Sequence, residues 1–367
     1  MSYFEGRGRL IVILWVTILL GFFGIAGLLS GTQLYADKKE SQARHQDRLD
    51  PNKSENGKTQ VDFSKLEAEE SSSYEKVHVG IYVDRIVEIS TKSTGWTVDF
   101  YIWFNWESDE IDPGDTFHII DGEIQSNTKI EELSESGNHY SLYRVKARIT
   151  KFFNVVRYPL DNHLLTIRIE DSELQWNVLR YVPDADGAEY SSRVKVPGYR
   201  LRDDQIITKP HAYKSTRGDP RLPEQYQSVY SQLTYAIEID RPDWGLYFKM
   251  FQGLFASVTI AFLAFSFGPR SGERVSLGVG AFFASVASSY INLNQLPDVG
   301  IVTLVDMVNG LAMMTIFLTL LGTLISSRMA VATSESSARV FDRASLLIFL
   351  LGFFIVNVVI ALTASIH

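Results

Sequence analysis

The chain has 367 residues, 46% hydrophobic and 12% aromatic, with 35 basic and 43 acidic residues for a net charge of −8. That acidic balance excludes the basic face a nucleic-acid partner requires, and the lack of any cysteine excludes disulfides, thiolate nucleophiles and Cys-ligated metals. A mean hydropathy of zero averages two unlike parts: five apolar runs of about 20 residues, each long enough to cross a hydrocarbon core, and a polar segment between the first run and the second.

The first run, Leu10 to Leu29, follows Arg7 and Arg9. A basic flank of this kind opens both signal peptides and uncleaved anchors. Small residues at Gly24 and Ala26 offer one cleavage site and Ala36 another, so residues 1–36 read either way. Residues 37–74 are charged and poor in aromatics, the composition of a flexible tether. From Val77 the pattern turns to period two, as in half-buried strands: Val77, Val79, Ile81 and Val83; Val98, Phe100, Ile102, Phe104 and Trp106; Leu165, Ile167 and Ile169; Tyr235, Ile237 and Ile239. Short strands divided by Gly, Pro, Asp and Asn turns predict an antiparallel β-sandwich over 75–241.

The remaining apolar runs, about 244–267, 275–296, 301–325 and 344–366, are joined by short connections and predict a four-helix bundle over 242–367. Arg270 and Arg274 lie between the first pair, and Arg328, Arg339 and Arg343 between the last pair. The positive-inside rule puts both connections in the cytoplasm and the polar segment outside. Arg7 and Arg9 give the same topology independently. The expected class is therefore an α+β membrane protein of the cell (inner) membrane, with its β-domain on the periplasmic or extracellular side.

Catalytic signatures are missing. The seven histidines show no metal spacing, and no Gly-x-Ser-x-Gly, phosphate loop or dinucleotide fingerprint occurs. No enzyme activity is expected. The run 275–296 is distinctive for its small residues: Ser276, Gly278, Gly280, Ala281, Ala284, Ser285, Ala287, Ser288 and Ser289. Small residues allow close helix packing, and they also suit a helix beside water. Spacings of three and four put Glu273, Ser276, Gly280, Phe283, Ala287, Tyr290 and Asn294 on one face. Glu273 by itself reads equally as a loop carboxylate paired with Arg274 or Arg270. Asp306 is costly toward lipid and should face the bundle or an interface.

Acidic residues outnumber basic ones over 75–241, 27 to 20, with clusters at 107–115 and at Glu170, Asp171 and Glu173. Crowded carboxylates raise one another's pKa and bind hard cations through oxygen. Glu170, Asp171 and Glu173 are the candidate metal ligands, with calcium or protons as modulators, against the plainer alternative of solvated surface charge.

Three local features, in this order, resemble the pentameric ligand-gated ion channels (the Cys-loop receptor superfamily), in particular the bacterial branch without cysteines. Arg157-Tyr158-Pro159-Leu160-Asp161 is similar to the tip of that family's signature loop, with the animal receptors' cysteines falling at Lys151 and Leu165. Ile239-Asp240-Arg241-Pro242 is similar to its pre-membrane segment, and Gly272-Glu273-Arg274 opens the second helix of the bundle while Leu296-Pro297 closes it. Trp103 and Trp106 add weaker support. The resemblance covers about 77–367.

It implies a homopentamer in membrane lipid, permeated by monovalent cations. The Glu273–Asn294 face becomes the pore lining, with Glu273 as a selecting ring and Phe283 as a constriction able to gate by dewetting. It also implies an agonist of unknown identity between neighbouring sandwiches, near Trp103, Trp176, Tyr226 and Tyr230, with the turn 214–229 as capping loop. Ser172 stands where amine-binding relatives carry an aromatic, which speaks against an amine agonist. Coupling falls to Tyr158, Pro159, Asp161 and Arg241, and to the turn Ser90–Gly95, where Lys92 replaces the acidic residue often found. A non-conducting membrane receptor with the same fold is the alternative.

Overall fold

The structure, a computed structural model, describes residues 2–51, 53, 74–213, 228–241, 244–294, 296–297 and 300–365, with the backbone alone for 2–7. Cα packing divides the chain into two compact units. One gathers residues 1–40, 154–161 and 243–367; the other gathers 41–153 and 162–242.

Among its described residues the second unit holds ten strands: β1 (Glu75–Ser90), β2 (Gly95–Trp106), β3 (Phe117–Ile119), β4 (Gly122–Glu135), β5 (Asn138–Thr150), β6 (Asn162–Asp171), β7 (Leu179–Pro183), β8 (Glu189–Tyr190), β9 (Arg200–Tyr213) and β10 (Ser228–Asp240). They form two sheets, ordered β4-β5-β2-β1-β7 with β8 also on β1, and β3-β6-β10-β9. The predicted alternation sets the core. Val77, Val79, Ile81 and Val83 point inward from β1, Val98 to Trp106 from β2, Leu165 to Ile169 from β6 and Tyr235 to Ile239 from β10, all of them buried. Phe104 of the first sheet meets Phe117 of the second with ring centroids 5.3 Å apart, and Tyr143 packs edge-on to both. Two features depart from a purely antiparallel sandwich. β1 pairs in parallel with β7 and β8, and a single helical turn, α2 (Pro113–Thr116), follows Asp112, whose side chain accepts from the Gly114 amide. A bulge between Val83 and Arg85 shifts the inward face to Ile86, since one extra residue resets a period of two.

Among the described residues the first unit is built on five helices long and apolar enough to cross a membrane: α1 (Ser2–Leu49), α3 (Gly245–Leu263, continued by a 3-10 turn at Ala264–Ser266), α4 (Glu273–Leu293), α5 (Leu304–Ala332) and α6 (Glu335–Ala364). Two boundaries differ from the sequence reading. The tether was expected to begin at residue 37, but 37–49 continue α1, because Lys, Glu, Gln, Ala and Arg are good helix formers even where they are too polar for lipid. The connection expected at 326–343 reduces to Thr333 and Ser334, with Ser334 accepting from the Ser337 amide to start α6. The rest of the tether lies mainly outside the described residues.

The bundle is not limited to four helices. α1 packs along α6, with Gly8 beside Ser337, Gly27 beside Val356 and Gly31 beside Val359. Trp15 Nε1 donates to Ser345 Oγ at 3.1 Å, and Phe23 meets Phe349 edge-on at 6.2 Å. Paired numbers rise together, so the two helices are parallel. That agrees with basic residues flanking both at their N-terminal ends. The buried line Gly8, Trp15, Leu19, Phe23, Gly31 and Leu34 is a narrow seam with steps of three, four, seven and eight residues.

Candidate functional site

Helix α4 has two faces of different character. Arg274, Gly278, Ala281, Ser285, Ser289 and Asn292 are buried against neighbouring helices. Arg274 is held on three sides: Nε donates to the Ala264 carbonyl at 2.9 Å, Nη1 to Ser326 Oγ at 3.2 Å and Nη2 to the Asp342 carboxylate at 2.7 Å. This ion pair fixes the rotation of α4 at its first turn, and Gly278 admits the Leu320 side chain, which a Cβ there would meet at 2.3 Å.

The seven residues of the expected lining all lie on the exposed side: Glu273, Ser276, Gly280, Phe283, Ala287, Tyr290 and Asn294. Phe283 is 68% exposed and Tyr290 70%. Glu273 is not occupied by Arg274, which faces Asp342, nor does Arg270 take it. Arg270 donates to the Ala330 carbonyl and lies 3.8 Å from Glu335. The Glu273 carboxylate instead accepts from the Ser271 hydroxyl at 3.1 Å. The exposed side thus carries a line from a carboxylate through small and hydroxyl side chains and two aromatics to an amide, flanked by the exposed apolar residues Val275, Val279, Phe282, Val286, Ile291 and Leu293.

Asp306, expected to face the bundle or an interface, closes a capping box at the start of α5. It accepts from the Thr303 amide at 2.8 Å and from the Thr303 hydroxyl at 2.7 Å, while Thr303 accepts from the Asp306 amide. Its charge is thereby satisfied by the helix terminus itself.

The 154–161 segment belongs to the helical unit. Tyr158 is buried, Asp161 is buried, and the Tyr158–Pro159 peptide bond is cis. The Leu304 amide, opening α5, donates to the Val156 carbonyl at 2.7 Å. In the β unit, Arg241 Nη2 donates to the Tyr199 hydroxyl at 2.7 Å and its guanidinium lies 4.2 Å from that ring's centre.

Of the aromatic residues expected near a ligand, Tyr226 and most of the turn 214–229 lie outside the described residues. Each of the others has neighbours in its own chain. Trp103 Nε1 donates to Asp184 at 3.0 Å, and its ring covers Gly80 and Gly187 so closely that a Cβ at Gly80 would lie 2.0 Å from it. Trp176 already carries a cation, the Arg180 guanidinium 4.7 Å from its ring and 3.7 Å from that of Tyr74. Tyr230 is buried edge-on to Tyr213 at 5.7 Å.

Glu170, Asp171 and Glu173 do not converge as a metal site. Glu170 is buried and meets the His211 ring nitrogen, the Tyr213 hydroxyl at 2.8 Å and the Gln232 amide at 2.7 Å. Asp171, next on the strand, points to the opposite face. There it accepts from the Thr116 hydroxyl and from the Glu173 and Leu174 amides. Glu173 is exposed. Among the described residues no group of three His, Cys, Asp or Glu side chains is placed to hold a metal ion. The expected cluster fails because neighbouring residues of a strand face opposite ways.

Sequence reasoning passed over Asp342, Asp37 and Asp184. Asp342 was legible as a lone carboxylate beside an apolar run, which must find a partner. Asp184, beside a turn, and Asp37, inside α1 just past its apolar run, carry no such signal. No family model and no curated protein matches the chain.

Proposed function

We propose that the chain is a subunit of a homopentameric, cation-selective ligand-gated channel of the cell membrane, with its pore lined by α4. The observation that supports this most is the sorting of α4. All seven residues of the Glu273–Asn294 stripe are exposed, while Arg274, Gly278, Ala281, Ser285, Ser289 and Asn292 are buried. A helix fully enclosed by one chain's bundle would bury its small residues, and a lipid-facing helix would not present a carboxylate, a serine and an asparagine along one line. Five copies turning this stripe inward would make a Glu273 ring at one mouth, a Phe283 ring as the constriction and an Asn294 ring at the other end.

In this reading the β-domain takes an unidentified agonist, Tyr158, Pro159, Asp161 and Arg241 carry its effect toward the pore, and protons on the outer side modulate opening. The absence of cysteine makes a direct test simple. Cysteines introduced singly at Ser276, Gly280 and Ala287 should react with a charged methanethiosulfonate and block current, while one at Ser285, on the buried face, should not. Equal reactivity at all four positions would remove α4 as the lining.

A further inference from the structure

The first apolar run could have been a signal sequence lost from the mature protein, yet the structure gives it a specific task. Near the C-terminal end of the α1 apolar segment, the Asp37 carboxylate reaches the 154–161 segment. Asn154 Nδ2 donates to Asp37 Oδ1 at 2.8 Å and Arg157 Nε to Asp37 Oδ2 at 3.0 Å. Arg157 is buried and also donates through Nη1 to the Ala364 carbonyl at 3.2 Å. On the next residue of α1, Lys38 Nζ donates to the Ser365 carbonyl at 2.7 Å. Two cations thus sit on the open carbonyls that end α6, where a helix terminus favours positive charge, and one of them is neutralised by Asp37. Asn154 Oδ1 in turn accepts from the Val156 amide at 3.1 Å, and the Val156 carbonyl accepts from Leu304 at the head of α5. Asp37, Asn154, Val156 and Leu304 form one continuous chain of hydrogen bonds.

We propose that α1 is a resident fifth membrane helix and that Asp37 is a positioning residue, which fixes the 154–161 segment against the ends of α5 and α6. A buried arginine paired with a carboxylate on another helix is a demanding arrangement: removing that carboxylate takes away charge compensation the guanidinium needs. The α1–α6 seam of Gly8, Trp15, Phe23, Gly27 and Gly31 holds that carboxylate at the required height. The consequence for gating rests on the channel reading; the contact itself does not.

The test uses the full chain purified in detergent. Intact mass first reports whether residues 1–36 are retained; a mature chain beginning at 27 or 37 would overturn the proposal. Hydrogen exchange then compares the wild type with Asp37→Asn and with Lys38→Met, a change one residue away that removes the hydrogen bond to the Ser365 carbonyl and leaves the Asp37 contacts in place. Asp37→Asn should speed exchange of peptides covering 154–161 by about tenfold or more while α3–α6 stay protected, and Lys38→Met should leave that segment slow. Unchanged exchange of 154–161 in Asp37→Asn would refute the role of Asp37. If that variant does not purify, Asp37→Cys with Asn154→Cys decides, in a chain with a protease site inserted between 54 and 73. A short dithiol cross-linker should keep the two fragments joined after cleavage, and their separation would overturn the proposal. None of these readouts depends on a current, so a result against the channel would not count against Asp37.

Discussion

A guanidinium inside a helical bundle persists only if its donors find partners, and Arg274 finds three: a carbonyl, a hydroxyl and the Asp342 carboxylate. Asp342→Asn should therefore lower stability by about 3–5 kcal/mol, the usual cost of leaving one buried charge uncompensated. Replacing both partners with apolar residues of similar size should cost clearly less; thermal unfolding in detergent separates the two. A second residue whose charge is contested is Lys151, at the end of the β5 strand. Burial, with the positive charges of Arg48 and Arg168 beside it, pushes its pKa from 10.5 down to about 7. The unfolded chain holds that proton up to its ordinary pKa, so between about pH 7 and 10.5 the unfolded state binds more protons than the folded one. Stability from this group thus rises with pH across that window, and below it the folded protein carries the full cost of a buried ammonium. Lys151→Met should raise the melting temperature at pH 6, with a gain that shrinks steadily toward pH 10. A gain independent of pH would mean that the methyl group's packing, not the lost charge, is responsible.

At the scale of elements, what the sequence made legible was periodicity. Val98, Phe100, Ile102, Phe104 and Trp106 alternate in the chain and are all buried in the fold, because a strand's two faces are set by parity alone. Helix ends were less legible. Hydropathy falls where lipid ends, but a helix need not end there, so 37–49 and most of 326–343 stayed helical although they read as tether and loop. The stripe on α4 was readable from three- and four-residue spacing; the partners of its buried face were not, since Asp342 lies 68 residues from Arg274. The aromatic residues marked for a ligand were misleading for a physical reason. Trp103 and Trp176 satisfy their own chain's Asp184 and Arg180, and residue type does not distinguish a ring awaiting a ligand from one already covered. Gly80 shows how tightly the first of these is built. Gly80→Ala should displace the Trp103 ring and cost about 1–3 kcal/mol by overpacking, read as a drop in melting temperature together with a shift in tryptophan emission. An unchanged emission spectrum would contradict this packing.

For the whole molecule, the central claim is that copies of this chain enclose a water-filled path lined by α4, with cations selected at Glu273. Five-fold assembly is part of it, so native mass spectrometry should return five copies of the 41.5 kDa chain; a monomer or dimer would leave the α4 stripe with nothing to enclose. The most direct measurement is the reversal potential of the currents that purified protein carries in a bilayer under a KCl gradient, with outer pH stepped. The account predicts a reversal near the potassium equilibrium potential, moved toward zero by Glu273→Gln because the carboxylate ring that favours cations is gone. A reversal near the chloride potential, or a value indifferent to Glu273→Gln, would contradict it.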